Sequence, residues 1–274
     1  MESRPYPCYR FILVVLTYRN ADDLLDFDRS LKSHLNGYHV IVVNSHFDEQ
    51  SEDKIKRIAD LLGYDYIGIE NRGYGFGNNR GIEYANAHYT YEYLIVSNPD
   101  VIIRRFDDSS LPFASAIIGP AITTVAGKSQ NPYWAIRSGV LEECIYLGMK
   151  RNSRMHMIFA EGINRLIREL YLVLHRKSRK AREVYATHGA FVIFTRDVIE
   201  KLDVVYDEDM FLFYEEAYLA NRIRQYNIRQ YFYPAIDILH KEDGSTRGMN
   251  IDLSRHARQS FVYYYENRLR SART

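Results

Sequence analysis

Cysteine is scarce: Cys8 and Cys144 are the only two in 274 residues. Two are too few for a disulfide framework or a cysteine-built zinc cluster, so both are expected as reduced thiols. Net charge is nearly absent as well. The formal value is +1, which gives no global basic field of the kind that attracts nucleic acid. No window approaches the roughly 20 apolar residues of a membrane-spanning helix. The stretch from Met1 to Pro7 has no signal-peptide-like apolar run. These absences set the expectation of a cytoplasmic protein with no nucleic-acid partner.

What is present is ordinary for a globular chain, 46% hydrophobic and 26% charged. The length admits one large α/β domain or two small ones. Tyrosine is frequent at 24. Its ring stacks on sugars and bases but also serves cores and surfaces, so the count decides nothing.

The first part of the chain alternates strand and helix. Arg10 to Leu16 is a continuous apolar run, as in a central parallel strand. Asp22 to Leu35 has helical apolar spacing and is followed by Gly37. His39 to Val43 is a second strand. A helix from Glu52 to Leu62 is expected with Ser51 as its cap and Gly63 as its stop. Tyr66 to Ile69 is a third strand. Such alternation predicts βαβ units on a mostly parallel sheet, a Rossmann-like α/β arrangement flanked by helices.

Asn71 to Gly81 then reads as a glycine-rich loop opening a helix that runs to about His88. Glycines there let backbone amides approach a phosphate, although a purely structural glycine loop reads the same way. A dinucleotide fingerprint does not fit: counted from Gly75, the third glycine position holds Arg80, and the loop follows the third strand, not the first.

Tyr93 to Ile103 is the stretch around which the rest is organised. Leu94 to Val96 reads as a buried strand, broken at Ser97-Asn98-Pro99. Asp100 therefore sits beyond a strand end, where open α/β sheets bind ligands. A carboxylate there can hold a divalent metal against a phosphate, or can simply end a polar turn. Further on, Ala116 to Ile118 is expected as a strand and Ala121 to Trp134 as a loop. The single tryptophan can stack on a sugar or pack.

Glu161 to Val184 is an amphipathic basic segment. Ile163, Leu166, Ile167, Leu170, Tyr171 and Leu174 make its apolar side, and a dense basic load runs through Arg176, Lys177, Arg179 and Lys180. It suits either an anionic membrane surface or a core helix followed by a solvated turn. Thr187 to Thr195 is expected as a strand and Asp197 to Leu202 as a short helix. Glu215 and Glu216 stand at the start of a helix reaching Tyr226, where acids favour the dipole. Consecutive residues do not share a helix face, so at most one is expected to point into a site. Gln230 to Tyr233 is a last strand, and His240 follows an apolar run. Leu253 to Arg270 is a helix rich in tyrosine and arginine, a candidate for the same membrane face or for a homodimer contact.

Taken together, these motifs resemble the family 2 glycosyltransferases of GT-A fold, in their rhamnosyltransferase-like branch, from about Phe11 to Thr246. Val14 to Tyr18 looks like the family's first strand and nucleotide turn. Asn71 to Gly81 is similar to its Asn-x-Gly-Phe-x-x-Gly-Asn-Asn-x-Gly loop, and Ser97 to Asp100 to its version of the Asp-x-Asp motif. Gly189-Ala190 matches a Gly-Ala pair. Tyr206-Asp207-Glu208 followed by Glu215-Glu216 resembles Phe-Asp-Glu followed by Glu-Asp. His240 with Ser245 matches a closing His-x-x-x-x-Ser.

The resemblance implies a GT-A domain over 1–248 with a helical extension over 249–274. It implies inverting transfer of a hexose from a UDP- or dTDP-linked donor to a saccharide hydroxyl, in bacterial surface-polysaccharide synthesis. The acceptor would be a saccharide or lipid-linked saccharide at the inner membrane face. Mg²⁺ or Mn²⁺ would sit on Asp100 and His240. Thr17, Tyr18, Asn44, Asn71, Gly75, Gly77, Asn79, Arg80, Asn98 and Gly189 would bind the nucleotide sugar. Glu216, with Glu215 second, would be the base that a hydroxyl nucleophile needs. Three positions depart from the family pattern. Val43, followed by Asn44, stands where the family has a base-contacting aspartate, Glu216 replaces an aspartate, and Tyr218 replaces an acid. They keep a catalytically silent nucleotide- or glycan-binding member of the fold as the alternative. A sugar nucleotidyltransferase would carry a basic glycine-rich loop after the first strand, which Thr17 to Asp22 lacks.

Overall fold

The computed structural model describes residues 6–112, 114–176, 178–242 and 253–271. Ser245 lies outside the described residues. β1 (Cys8–Thr17) runs through the middle of a parallel group, with β2 (Tyr38–Ser45) on one side and β4 (Thr90–Ser97) on the other; β3 (Asp65–Ile69) lies outside β2. Phe11 to Val15 are all buried, because helices cover both faces. α1 (Asp22–His34) and α2 (Glu49–Leu62) bury Leu24, Phe27, Leu31, Ile55 and Ala59 against one face. α3 (Tyr74–His88) and α6 (Arg196–Leu202) bury Ile82, Ala85, Val198 and Leu202 against the other.

The cap of α2 is Asp48, whose carboxylate accepts from the Ser51 backbone N–H at 2.7 Å, so the helix starts three residues before the expected Glu52. Gly63 closes it as expected, at φ 72°.

Beyond β4 the sheet changes direction. β8 (Phe191–Thr195) lies antiparallel to β4, and β6 (Ala116–Thr124) antiparallel to β8. β9 (Arg229–His240) runs parallel to β6. Its first part carries β7 (Arg182–Val184) and its second part β5 (Val101–Phe106), both antiparallel. The order is β3-β2-β1-β4-β8-β6-β9-β5.

Three sequence expectations need correction here. Ala121 to Thr124 is strand, not loop, because it pairs with Asp237 to His240 after a register shift at Pro120. For the same reason the last strand continues past Tyr233 to His240. Thr187 to Ala190 is not strand; β8 begins at Phe191.

The glycine-rich segment also differs from its expected form. Gly75, Gly77, Asn79, Arg80 and Gly81 lie within α3, not in a loop before it. A methyl on Gly77 would meet Leu16 Cδ1 at 2.4 Å, and one on Gly81 would meet Val14 Cγ1 at 2.3 Å. These glycines let α3 lie close on β1, where overpacking costs about 1–3 kcal/mol.

A third cluster joins α4 (Gly139–Arg151), α5 (Arg154–His175), α7 (Glu215–Arg222) and α8 (Leu253–Ser271). Trp134 is buried there between Tyr133 and Tyr185, with ring centroids 5.8 and 6.0 Å away, which is packing. α8 buries Phe261 and Tyr264, and Tyr264 Oη donates to Glu142 at 2.6 Å. The expected apolar stripe of α5 divides between two sides. Ile163, Ile167 and Tyr171 are half-buried, whereas Leu166, Leu170 and Leu174 are exposed.

Candidate active site

The turn after β4 sets one wall of a cavity of about 840 Å³. The Asn98 N–H donates to the Ala190 carbonyl at 2.9 Å, which fixes that turn against the start of β8. Val101 pairs with His240, and the Lys241 N–H donates to the Asp100 carbonyl at 2.9 Å. Asp100 and His240, 140 positions apart in sequence, are therefore backbone neighbours. Their side chains are buried, with His240 Nε2 3.3 Å from Asp100 Oδ1.

The ring of His240 is oriented from behind. Gln130 donates its Nε2 to Glu242 Oε1 at 2.8 Å, which leaves its carbonyl oxygen facing His240 Nδ1, also at 2.8 Å. In the neutral ring Nδ1 therefore carries the proton, and Nε2 presents a lone pair towards Asp100. In that tautomer lone pair and carboxylate face each other, a donor set that fits a divalent cation. Ligands at about 2.1 Å on adjacent octahedral positions lie roughly 3 Å apart. Among the described residues no group of three His, Cys, Asp or Glu converges on one point. A cation held by Asp100 and His240 would draw its other ligands from water and phosphate, as Mg²⁺ commonly does.

The opposite wall is acidic. Phe213 and Tyr214 both adopt left-handed φ, 74° and 68°, and turn the chain into α7. Strain of this kind concentrates at functional sites. Glu216 Oε1 accepts from the Gly189 N–H at 3.0 Å, and Tyr74 Oη donates to the Gly189 carbonyl at 2.9 Å. Glu215 is buried, and its Oε1 has no hydrogen-bond partner. Both acids line the cavity, contrary to the expectation that only one would.

Burial raises both carboxyl groups above the usual range. Glu215 is pushed up to about 8, first by burial and then by the charge of Glu216. A carboxyl raised in the folded state stabilises the fold below its unfolded pKa and loses that contribution as pH rises through the folded one. Stability credited to Glu215 thus declines between about pH 4.5 and about pH 8. In Glu215→Gln this decline is absent, so melting temperature relative to the parent is expected to climb from pH 5 and to level off above about pH 8. Parallel thermal melts across that range check it.

His188 completes the floor. It is held well below its normal range, at about 3, chiefly by burial and next by the nearby His240. Its Nδ1 accepts from the Ala190 N–H at 3.1 Å, so the neutral ring presents Nε2–H.

The structure brings Tyr18, Asn71, Asn98, Gly189, Asp100, His240, Glu215 and Glu216 to one cavity. It places the other expected donor-binding residues elsewhere. The Thr17 hydroxyl is buried 3.2 Å from the Val43 carbonyl, and Asn44 Nδ2 donates to Tyr66 Oη at 3.2 Å; Ser45, next along β2, is the residue that lines the cavity. Gly75 packs on the Asp207 carbonyl and Gly77 on Leu16. Asn79 Nδ2 donates to the Tyr206 carbonyl at 2.8 Å, and Arg80 pairs with Glu208 at 2.8 Å. Gly73 and Tyr74, at the start of α3, face the cavity in their stead.

Sequence reasoning did not single out Gln130, Tyr133 or His188 as site residues. A signal for Gln130 and Tyr133 existed, since both stand within four residues before the single tryptophan, which was noted as able to stack on a sugar. His188 carried none, being one histidine at the head of an expected strand.

No family model matches the chain. The low-salt glycan biosynthesis hexosyltransferase Agl10 of Haloferax volcanii is 23% identical over 236 residues, which cover 84% of this chain and 66% of that protein. Among solved structures, GalNAc-T7 with UDP, GalNAc and Mn²⁺ is similar at a TM-score of 0.59 and 10% identity, over 87% of this chain and 44% of that one. The mannosyltransferase PcManGT from Pyrobaculum calidifontis, in complex with GDP-Man and Mn²⁺, reaches 0.55 at 16% identity, over 97% and 65%. TarS of S. aureus reaches 0.53 at 11%, over 94% and 43%. The chain spans less than two thirds of each of these relatives. These likenesses show the fold, a GT-A glycosyltransferase α/β fold with a central sheet between helices.

Proposed function

We propose that the chain is a metal-dependent glycosyltransferase that moves a hexose from a nucleotide-diphosphate sugar to a saccharide hydroxyl with inversion. The observation that carries this reading is the facing of Asp100 and His240 across 3.3 Å in the cavity that also holds Glu215 and Glu216. A bound Mg²⁺ or Mn²⁺ would neutralise the diphosphate as it leaves. The chain's own groups supply the rest. Tyr18, Ser45 and Asn71 form the nucleotide side of the cavity. Glu216, held by the Gly189 amide, is placed to take the acceptor proton, and Glu215 beside it is the second candidate. Direct displacement needs no covalent intermediate, and an acid held in place is sufficient as general base.

The GalNAc-T7 and PcManGT structures support the metal and the nucleotide-sugar donor, because both contain Mn²⁺ with a nucleotide or nucleotide sugar. The family 2, rhamnosyltransferase-like assignment and a role in surface polysaccharide rest on the motifs. So does an acceptor saccharide carried on a lipid at the cytoplasmic membrane face.

The test is a panel of UDP-, dTDP- and GDP-sugars, with Mn²⁺ and with chelator. Thermal shift and slow donor hydrolysis are followed together, since a ligand that binds the folded state raises apparent stability. Mn²⁺-dependent stabilisation with hydrolysis is the expected result. Stabilisation with no hydrolysis, with or without saccharide acceptors, would mark a silent binding member.

A further inference from the structure

α5 is apolar on the side turned away from the protein. Its inner side carries Ala160, Asn164 and Arg168, with Asn164 Nδ2 donating to the Tyr133 carbonyl at 3.2 Å. Its outer side carries Met155, Ile158, Phe159, Leu166, Leu170 and Val173. At steps of three, one, seven, four and three residues, these six fall on one stripe. Each is more than half exposed, from 54% at Leu170 to 78% at Met155. Scattered exposed apolar residues are normal, but a contiguous stripe of this size marks an interaction surface.

Charge says what the surface meets. Between Lys150 and Arg182 ten basic residues stand against two acidic ones, a net charge of +8, while the remaining chain carries −7. The whole-chain value of +1 conceals this division. The basic residues bracket the helix in sequence, with Lys150, Arg151 and Arg154 before the stripe and Arg176 to Arg182 after it. A second copy seated on the same stripe would set basic end against basic end whether the helices ran parallel or antiparallel. An anionic lipid surface satisfies both features at once, taking apolar side chains among acyl chains and basic ones among phosphates. No helix among the described residues is long and apolar enough to cross a membrane, so α5 would lie along the surface.

We propose that α5 docks the protein on an anionic bilayer, with the stripe from Met155 to Val173 immersed in the interface and the flanking basic residues on lipid phosphates. Because Asn164 holds Tyr133 and Tyr133 lines the cavity, docking sets the bilayer behind that wall of the site. The docking stands on the surface alone; its use, to meet a lipid-carried acceptor, rests on the transferase reading.

Flotation with phosphatidylcholine vesicles containing phosphatidylglycerol, against pure phosphatidylcholine, tests it on the full chain. No donor is present, so the outcome is independent of the chemistry. Flotation on anionic vesicles only, lost at high salt, is expected. Arg176→Gln/Arg179→Gln/Lys180→Gln lowers the partition coefficient by roughly a hundredfold, about fivefold per charge. Phe159→Glu/Val173→Glu abolishes partition, with an unchanged melting temperature because both positions are exposed. Failure of the parent to float at low salt overturns the proposal. So does a concentration-dependent dimer that Phe159→Glu/Val173→Glu dissolves, which gives the stripe to a second copy. Flotation without donor hydrolysis leaves the docking in place and removes the transferase reading instead.

Discussion

In Asp100→Asn, Mn²⁺ no longer strengthens the binding of a nucleoside diphosphate, and donor turnover falls on the order of a hundred- to ten-thousandfold. The size follows from what a cation supplies to a developing diphosphate, several kcal/mol, at about 1.4 kcal/mol per factor of ten. The substitution keeps the volume of the buried side chain and removes its charge. The backbone bond from the Lys241 N–H to the carbonyl of residue 100 is untouched, so the turn is retained. Titration calorimetry of UDP with and without Mn²⁺ reads the loss directly, beside a melting curve showing the fold intact. Retained metal-dependent binding would place the cation elsewhere.

Glu216→Gln separates chemistry from binding. The new amide keeps an oxygen for the Gly189 N–H, so the geometry at the start of α7 survives. It has no basic oxygen for the acceptor proton. Turnover is expected to drop by roughly a hundred- to ten-thousandfold, with donor affinity within about twofold of the parent. An interaction made only in the transition state lowers kcat and leaves ground-state binding alone. Single-turnover kinetics with equilibrium donor binding measure both sides of that split. A drop in Glu215→Gln and none in Glu216→Gln would exchange the roles of the two acids.

The parts of the fold legible in the sequence are those whose information is local. Phe11 to Val15 read as a doubly covered strand because every residue is apolar, and helices do cover both its faces. The alternation up to β4 was equally plain, as was Asp100 beyond a strand end. The glycines of α3 stayed open between two readings for a physical reason. A glycine that admits a phosphate and one that admits a leucine carry the same letter, and only the position of Leu16 against Gly77 tells them apart. β9 looked like a short strand because its second half is recognised by partners far away in sequence, Ala121 to Thr124 and Val101 to Phe106. The same distance hid Gln130, whose part in the site depends on its contact with His240. The sequence gives the helical period of α5, but it cannot say which of two apolar sides the protein itself will cover.

The insertion of β9 between β6 and β5 also dictates when the site can come into being. Among the described residues β5 has its ladder with β9 alone, so Asp100 is made 140 residues before His240, its neighbour beside that ladder. At about 5–20 residues per second of translation, that interval lasts roughly seven to thirty seconds. A nascent chain released as far as α7 already has the residues of β1 to β8 and both acids. It has no His240 beside Asp100 and no clamp on the turn between them. Pairing so distant in sequence is slow to form, so the Asp100–His240 pair is expected to assemble after the local β1 to β4 alternation.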